Sequence, residues 1–265
     1  TVPEVTAIPI SALAGDNVVE PSARMDWYSG PTVLEHVESV PVGPDPADAR
    51  ARLPVQYVIR PQSAEHPDYR GYAGRIAAGV LQVGEPVTVL PSGRTTRIAG
   101  IDLLGRPVDS ARTGQSVTVL LEDDLDVARG DLIVPTAEAP ETTPTIDATV
   151  CHVADRALAA GDRVLLKHGT RTVKAIVEAI PARLTLDDLS LRPHSGRLDA
   201  NDIGRVRIRT AEPLPVDAYA DSRRTGSFIL IDPVDGTTLT AGMVGASFAA
   251  PEPAGDTDAD AGWDF

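Results

Sequence analysis

A chain of 265 residues with 42% hydrophobic side chains holds apolar material for about two domains, although only 4% of it is aromatic. Its 24 basic and 38 acidic residues give a formal charge of −14, a field that repels phosphate backbones and counts against nucleic acid as a general partner. The one cysteine, Cys151, excludes an internal disulfide and any cysteine-built metal cluster. No apolar run approaches the ~18 residues of a membrane-spanning helix, so a soluble, cytoplasmic protein is expected.

In chain order, residues 5–10 alternate weakly and end in a turn, as a sheet strand would. They lead into Ile8-Pro9-Ile10-Ser11-Ala12-Leu13-Ala14-Gly15-Asp16-Asn17-Val18, the pattern of the last base-contacting loop of a GTP-binding domain. Gly30-Pro31 then sets up a short helix at about Thr32–Ser39, where Val33, Leu34 and Val37 share one face. Thr32 or Ser29 is its cap, and Glu35 stands near the capping-box position. Residues 1–40 thus read as the C-terminal remnant of a GTPase domain. Residues 41–53, rich in Pro, Ala and Asp, read as a linker.

Beyond the linker the pattern changes to short strands separated by turn signals, the mark of small barrels or sandwiches. Strands are predicted at Pro54–Arg60, Tyr72–Val80, Pro86–Leu90, Thr95–Ile101, Gly114–Leu121 and Asp131–Val134, which makes a first barrel of residues 54–135. After a proline-rich break, strands at Ile146–Val153, Arg163–Leu166, Thr170–Ile180, Ile203–Ala211, Phe228–Asp232 and Leu239–Val244 make a second barrel of residues 142–245. Residues 246–265 carry five acids and no base and are expected to be a disordered acidic tail, with Trp263 and Phe265 as the features of a docking peptide. Arg129-Gly130-Asp131 reads as a barrel turn and not as an adhesion motif. Gly74, Gly79 and Gly84, at intervals of five, fit strand-and-turn geometry.

The rest of a GTPase is missing from the sequence. A phosphate-binding loop needs G-x-x-x-x-G-K-[ST], yet the only lysines are Lys167 and Lys174, and neither follows a glycine. The guanine-selecting Asn-Lys-x-Asp is also absent, since the only asparagines are Asn17 and Asn201. By itself the chain is expected neither to bind nor to hydrolyse GTP. The five histidines, at 36, 66, 152, 168 and 194, show no i, i+4 pairing or ligand spacing, so neither a metal site nor a Ser–His–Asp set is expected. Lys167-His168 reads as a barrel edge. Tyr57, Tyr69 and Tyr72 beside Arg60 and Arg70 suggest barrel packing first and a polar interface second.

Several strings together carry a resemblance: residues 10–19 (ISALAGDNVV), 25–35 (MDWYSGPTVLE), 54–61 (PVQYVIRP), 121–131 (LEDDLDVARGD), 201–206 (NDIGRV) and 224–232 (RTGSFILID). Over about residues 5–245 the chain resembles the GTPase large subunits of bacterial sulfate adenylyltransferases, within the elongation factor Tu superfamily. The resemblance implies a mainly β fold, two translation-factor-type β-barrels preceded by the last strand and helix of a P-loop GTPase domain. It implies an enzyme that makes adenylyl sulfate and pyrophosphate from ATP and sulfate, driven by GTP hydrolysis, with GTP and Mg2+ as cofactors of the complete protein. A small catalytic subunit and the N-terminal GTPase domain are the implied partners. It also implies that Ser11, Ala12 and Leu13 form the guanine-base loop, with the Ala12 N–H donating to the guanine oxygen and Ser11 ordering the loop. The barrels would be the coupling and partner-binding part, and the acidic tail stands where some relatives continue into an adenylyl-sulfate kinase domain. Two rival readings are a translation factor whose barrels grip transfer RNA and a non-catalytic two-barrel scaffold. Residues 1–40, without the sheet they would pack on, are expected to be mobile or mispacked.

Overall fold

A computed structural model describes residues 5–40, 47–61, 69–194 and 196–245. They fall into two compact units, one ending at Asp45 and the other beginning at Pro46. The expected acidic tail, 246–265, and residues 41–46 of the expected linker lie outside the described residues.

The described residues of the first unit contain one helix, α1 (Val33–Ser39), which starts where the capping pattern places it. The Thr32 hydroxyl accepts from Glu35 N at 3.2 Å and the Glu35 carboxylate accepts from Thr32 N at 2.8 Å, a reciprocal capping box. The orphan donors of the first turn are met by the preceding loop: Val33 N donates to the Asn17 carbonyl and Leu34 N to the Val18 carbonyl, both at 3.0 Å. Residues 5–10, predicted as a strand, form none. A strand exists only as one rung of a ladder, and no described segment pairs with residues 5–10. The helix buries no side chain, and its apolar face stays open, with Val37 64% exposed. A seven-residue helix without a buried face draws little stability from propensity. The amides of residues 33–40 should therefore exchange with solvent far faster than those of the barrel cores. Strong protection there would refute this.

The second unit holds two barrels. The first contains β1 (Leu53–Pro54), β2 (Tyr57–Ile59), β3 (Gly71–Arg75), β4 (Val80–Gln82), β5 (Pro86–Leu90), β6 (Arg94–Leu103), β7 (Arg106–Val108), β8 (Ser110–Arg112), β9 (Ser116–Leu121) and β10 (Leu132–Pro135). The main sheet runs β1-β10-β5-β6-β9-β3-β2, all antiparallel. Pro54–Arg60 is not the single strand predicted, because it changes partner midway. Leu53 and Pro54 pair with Ile133 and Leu132, whereas Tyr57–Ile59 pair with Ala73–Gly71. That switch makes one segment, 53–59, join the two ends of the sheet, β10 and β3, which curls it into a barrel. Tyr72–Val80 likewise divides into β3 and β4. Ala51, Arg52 and Leu53, within the stretch read as a linker, are buried at 2%, 1% and 0% exposure. The core is aliphatic, centred on Leu53, Val87, Ile98, Val119 and Ile133.

The second barrel contains β11 (Thr142–His152), β12 (Leu158–Ala159), β13 (Arg163–His168), β14 (Arg171–Thr185), β15 (Ser190–Pro193), β16 (Arg197–Leu198), β17 (Ile203–Pro215), β18 (Ser227–Ile231) and β19 (Thr238–Val244). Six strands close on themselves in the order β13-β18-β19-β11-β17-β14, and β14 returns to β13. Period-two alternation puts Val164, Leu166, Val173, Ala175, Val206 and Ile208 inside. The 15-residue β14 bends around the closure through irregularities between Val177 and Ala182.

Candidate functional site

Ser11, Ala12 and Leu13 occupy the tip of a compact loop in the first unit. Ser11 pairs with Asp16 across a four-residue turn. Gly15 N donates to the Ser11 carbonyl at 2.8 Å, and Ala14 N reaches the Ser11 hydroxyl at 3.3 Å. Gly15 takes a positive φ of 77°, which L side chains rarely adopt. Ala12 and Leu13 face solvent, Leu13 fully, and the Ala12 N–H donates to no acceptor among the described residues. An exposed turn that leaves a backbone N–H uncommitted can offer it to an incoming acceptor.

The residue that holds the loop is one the sequence reading passed over. Asn17 is 2% exposed; its Nδ2 donates to the Pro9 carbonyl at 2.9 Å, while its Oδ1 accepts from Ser22 N at 2.7 Å. It ties both ends of the turn together, and the string Gly15-Asp16-Asn17 was its signal. Asp16 accepts from the Ser22 hydroxyl at 2.8 Å and from Arg24 at 2.6 Å. The Ser22 hydrogen bond, followed by the Arg24 one, holds its carboxyl below the usual carboxylate range.

Within the second unit the barrels are joined by buried charge. Arg52, from the first, meets Asp217, from the segment after β17, in a bidentate pair with both N–O distances 2.9 Å. Their side chains are 1% and 9% exposed. Thr225 donates its hydroxyl to the same carboxylate at 2.5 Å. Burial alone would raise the Asp217 pKa, but the Arg52 and Thr225 hydrogen bonds and the Arg52 charge outweigh it, and the carboxyl sits below its usual range. A second pair joins Arg171 of β14 to Asp131, just before β10, at 2.9 Å, with Glu212 at 2.6 Å. Gly130 sits against Arg171, where an added Cβ would lie 3.1 Å from its side chain. The Arg129-Gly130-Asp131 turn thus belongs to the junction between the barrels.

The two buried histidines are structural. His168 is 7% exposed and its Nε2 donates to the Thr225 carbonyl at 2.7 Å; burial pushes its pKa down. His152, fully buried, bridges the Thr240 hydroxyl and the Arg156 carbonyl. Of the Tyr and Arg group, Arg60, Tyr69, Arg70 and Tyr72 line one cleft of about 590 Å³ with Glu122, Asp123 and Asp124. Arg70 pairs with Asp124 there, and the buried Tyr72 hydroxyl donates to the Leu125 carbonyl at 3.0 Å. Tyr57 lies outside that cleft.

Residues 145–245 match the family described as GTP-eEF1A C-terminal domain-like. The solved structure of sup35 complexed with GMPPNP superposes with a TM-score of 0.68 at 21% identity, over 89% of this chain and 57% of that one. At such identity the likeness is one of fold, and it defines the class: a translation-factor-type barrel protein. The relatives narrow it. The bifunctional enzyme CysN/CysC of Mycobacterium tuberculosis (strain H37Rv) is 46% identical over 97% of this chain and 42% of its own length. Sulfate adenylyltransferase subunit 1 of Aeromonas salmonicida is 38% identical over 94% of this chain and 52% of its own length. The chain is a homologue of sulfate adenylyltransferase subunit 1, and it spans about half the length of the curated relatives it matches.

Proposed function

We propose that this chain is the coupling and partner-binding part of a sulfate adenylyltransferase large subunit. In the complete protein, GTP hydrolysis would drive formation of adenylyl sulfate and pyrophosphate from ATP and sulfate. The observation that carries this is identity of 38–46% along more than nine-tenths of the chain with relatives of that name. The chemistry is coherent, because sulfate is a poor nucleophile and its anhydride with phosphate is high in energy, so a second hydrolysis makes the synthesis favourable. The smaller subunit would carry the adenylyl transfer, and the two barrels, tied by Arg52–Asp217 and Arg171–Asp131, would transmit nucleotide state to it as one body. We place the GTPase remnant at 1–40, the barrels at 54–135 and 142–245, and an acidic tail at 246–265.

Ser11, Ala12 and Leu13 would read the guanine base of GTP. The uncommitted Ala12 N–H would suit the guanine oxygen and would meet the adenine amine donor to donor. This chain has no phosphate loop of its own, so the phosphates and Mg2+ would be held by another segment of the complete protein. The test is to tag the protein in its source cells and purify it intact. Co-purification of a small subunit, with GTP-stimulated formation of adenylyl sulfate, is the expected result. A complex without adenylyl transfer, or transfer indifferent to GTP, would sink the reading. In that preparation Ala12→Pro, which removes the donor, should lower the preference for guanine over adenine nucleotides roughly 10- to 100-fold. Ser11→Ala, which keeps the donor, should have a smaller effect.

A further inference from the structure

On the outside of a small barrel the outward positions of each strand should be polar. Around β18, β19 and β11 they are not. Cys151, Ile229 and Met243, each half-buried, line a groove of about 690 Å³ that runs along the barrel wall, with Tyr219 along one side. Two exposed cations, Lys167 and Arg224, stand at its rim, and neither forms an ion pair with a described residue. The groove also holds a mismatch: the Thr149 hydroxyl, in its lining, is shielded from solvent and has no hydrogen-bond partner. An orphaned buried hydroxyl is uncommon in a finished structure, and here it lies in the wall of an apolar groove. Apolar floor and cationic rim describe an occupant that carries aromatic side chains and carboxylates together.

We propose that the occupant is this chain's own segment 246–265, folded back in cis onto the groove. It begins one residue beyond Gly245 and so just past Met243, which is itself in the groove lining. It carries Phe248, Trp263 and Phe265, two of the three phenylalanines and one of the two tryptophans of the chain, with Glu252, Asp256, Asp258, Asp260 and Asp264 and no base. The aromatic rings match the floor, and the carboxylates match Lys167 and Arg224. Reach is sufficient: for about 18 residues, the separation of Trp263 from Gly245, random-coil statistics give a root-mean-square extent of roughly 23 Å. Tethering at that length supplies the segment at about millimolar effective concentration, so weak peptide affinity fills the groove. The inference does not rest on the proposed enzymatic role.

Cys151, the single thiol, is a built-in reporter of cover over the groove. Alkylation of the full chain should be about tenfold slower than that of a variant ending at Gly245, for a segment of ~0.1 mM intrinsic affinity. Phe248→Ala/Trp263→Ala/Phe265→Ala and Lys167→Glu/Arg224→Glu should both react at the faster rate, with thermal unfolding checking that each is folded. A synthetic peptide of residues 246–265, added to the shortened chain, should restore protection, less so as salt rises. In a Trp27→Phe background, Trp263 should resist acrylamide quenching. Equal alkylation of full and shortened chains, with Trp263 as quenchable as in a free peptide, would overturn the proposal. Protection that grows with protein concentration and sediments with a dimer would also overturn it, by giving the groove to the tail of a second copy.

Discussion

Replacing Arg52 with alanine will lower the stability of the two-barrel unit by about 3–5 kcal/mol at neutral pH, the usual cost of leaving one partner of a buried ion pair behind. Asp217 keeps its burial and loses both bonds of its bidentate partner. The pH dependence fixes the interpretation. In the wild-type protein the Asp217 carboxyl titrates below its unfolded value of about 3.9, so its contribution is complete above that value and disappears as pH falls through the lower, folded one. In Arg52→Ala, desolvation remains and the main opposing bonds are gone, so the folded carboxyl titrates higher than in the wild type. The stability gap should therefore be widest at pH 7 and shrink toward pH 4, as the stranded carboxylate takes up a proton. His168, whose pKa burial lowers, destabilises both proteins as pH drops below its unfolded value of about 6.5, and so does not create the gap. Urea unfolding at the two pH values measures it. A gap below about 1 kcal/mol, or one flat with pH, would show that the pair does not hold the barrels. Arg52→Met/Asp217→Leu should recover most of the loss, because an apolar pair of similar volume has no charge to desolvate.

The same pair shows where reading the sequence stops. The long strands were legible because alternation and turn residues recur locally: Pro86–Leu90 is the strand that its pattern predicted, and α1 begins at the Thr32–Glu35 box. The short ones, β7, β8, β12, β15 and β16, have two to four residues each, too few for a period to declare itself. Pro54–Arg60 reads as one strand because nothing local signals a change of partner. Arg52 looked like linker polarity, and its burial depends on a carboxylate 165 residues away. In the candidate base loop, the tip at Ser11–Leu13 was readable from its string, whereas Asn17 matters through contacts to Pro9 and Ser22 that only the folded loop creates. The apolar groove was hidden because an outward isoleucine and an inward one look alike in a strand.

Gly79→Ala should be nearly as damaging as Arg52→Ala, and by a route that meets it. The three glycines spaced by five have different reasons to be glycine. At Gly84, φ is +82° and the space is open; at Gly74 a Cβ would lie 2.4 Å from the Pro54 carbonyl oxygen. Gly79 combines both constraints, with φ +70° and a Cβ that would stand 2.4 Å from Ala51 Cα and 2.5 Å from Ala49 O. Its own carbonyl is fixed by Thr113 N at 2.9 Å, so it cannot easily retreat. Left-handed strain of about 1–2 kcal/mol and overpacking of about 1–3 kcal/mol together give a loss of roughly 2–5 kcal/mol. Gly84→Ala, with strain alone, should lose only the first part. The backbone that Gly79→Ala pushes aside is the one that delivers Arg52, whose N–H and carbonyl bond Ala78 and Ala77 beside Gly79. The two substitutions should therefore be less than additive in a double-mutant cycle, since a displaced Arg52 has less of its pair to lose. Strict additivity would mean that residues 49–51 yield without moving the ion pair, and the entry segment would then be no part of what locks one barrel to the other.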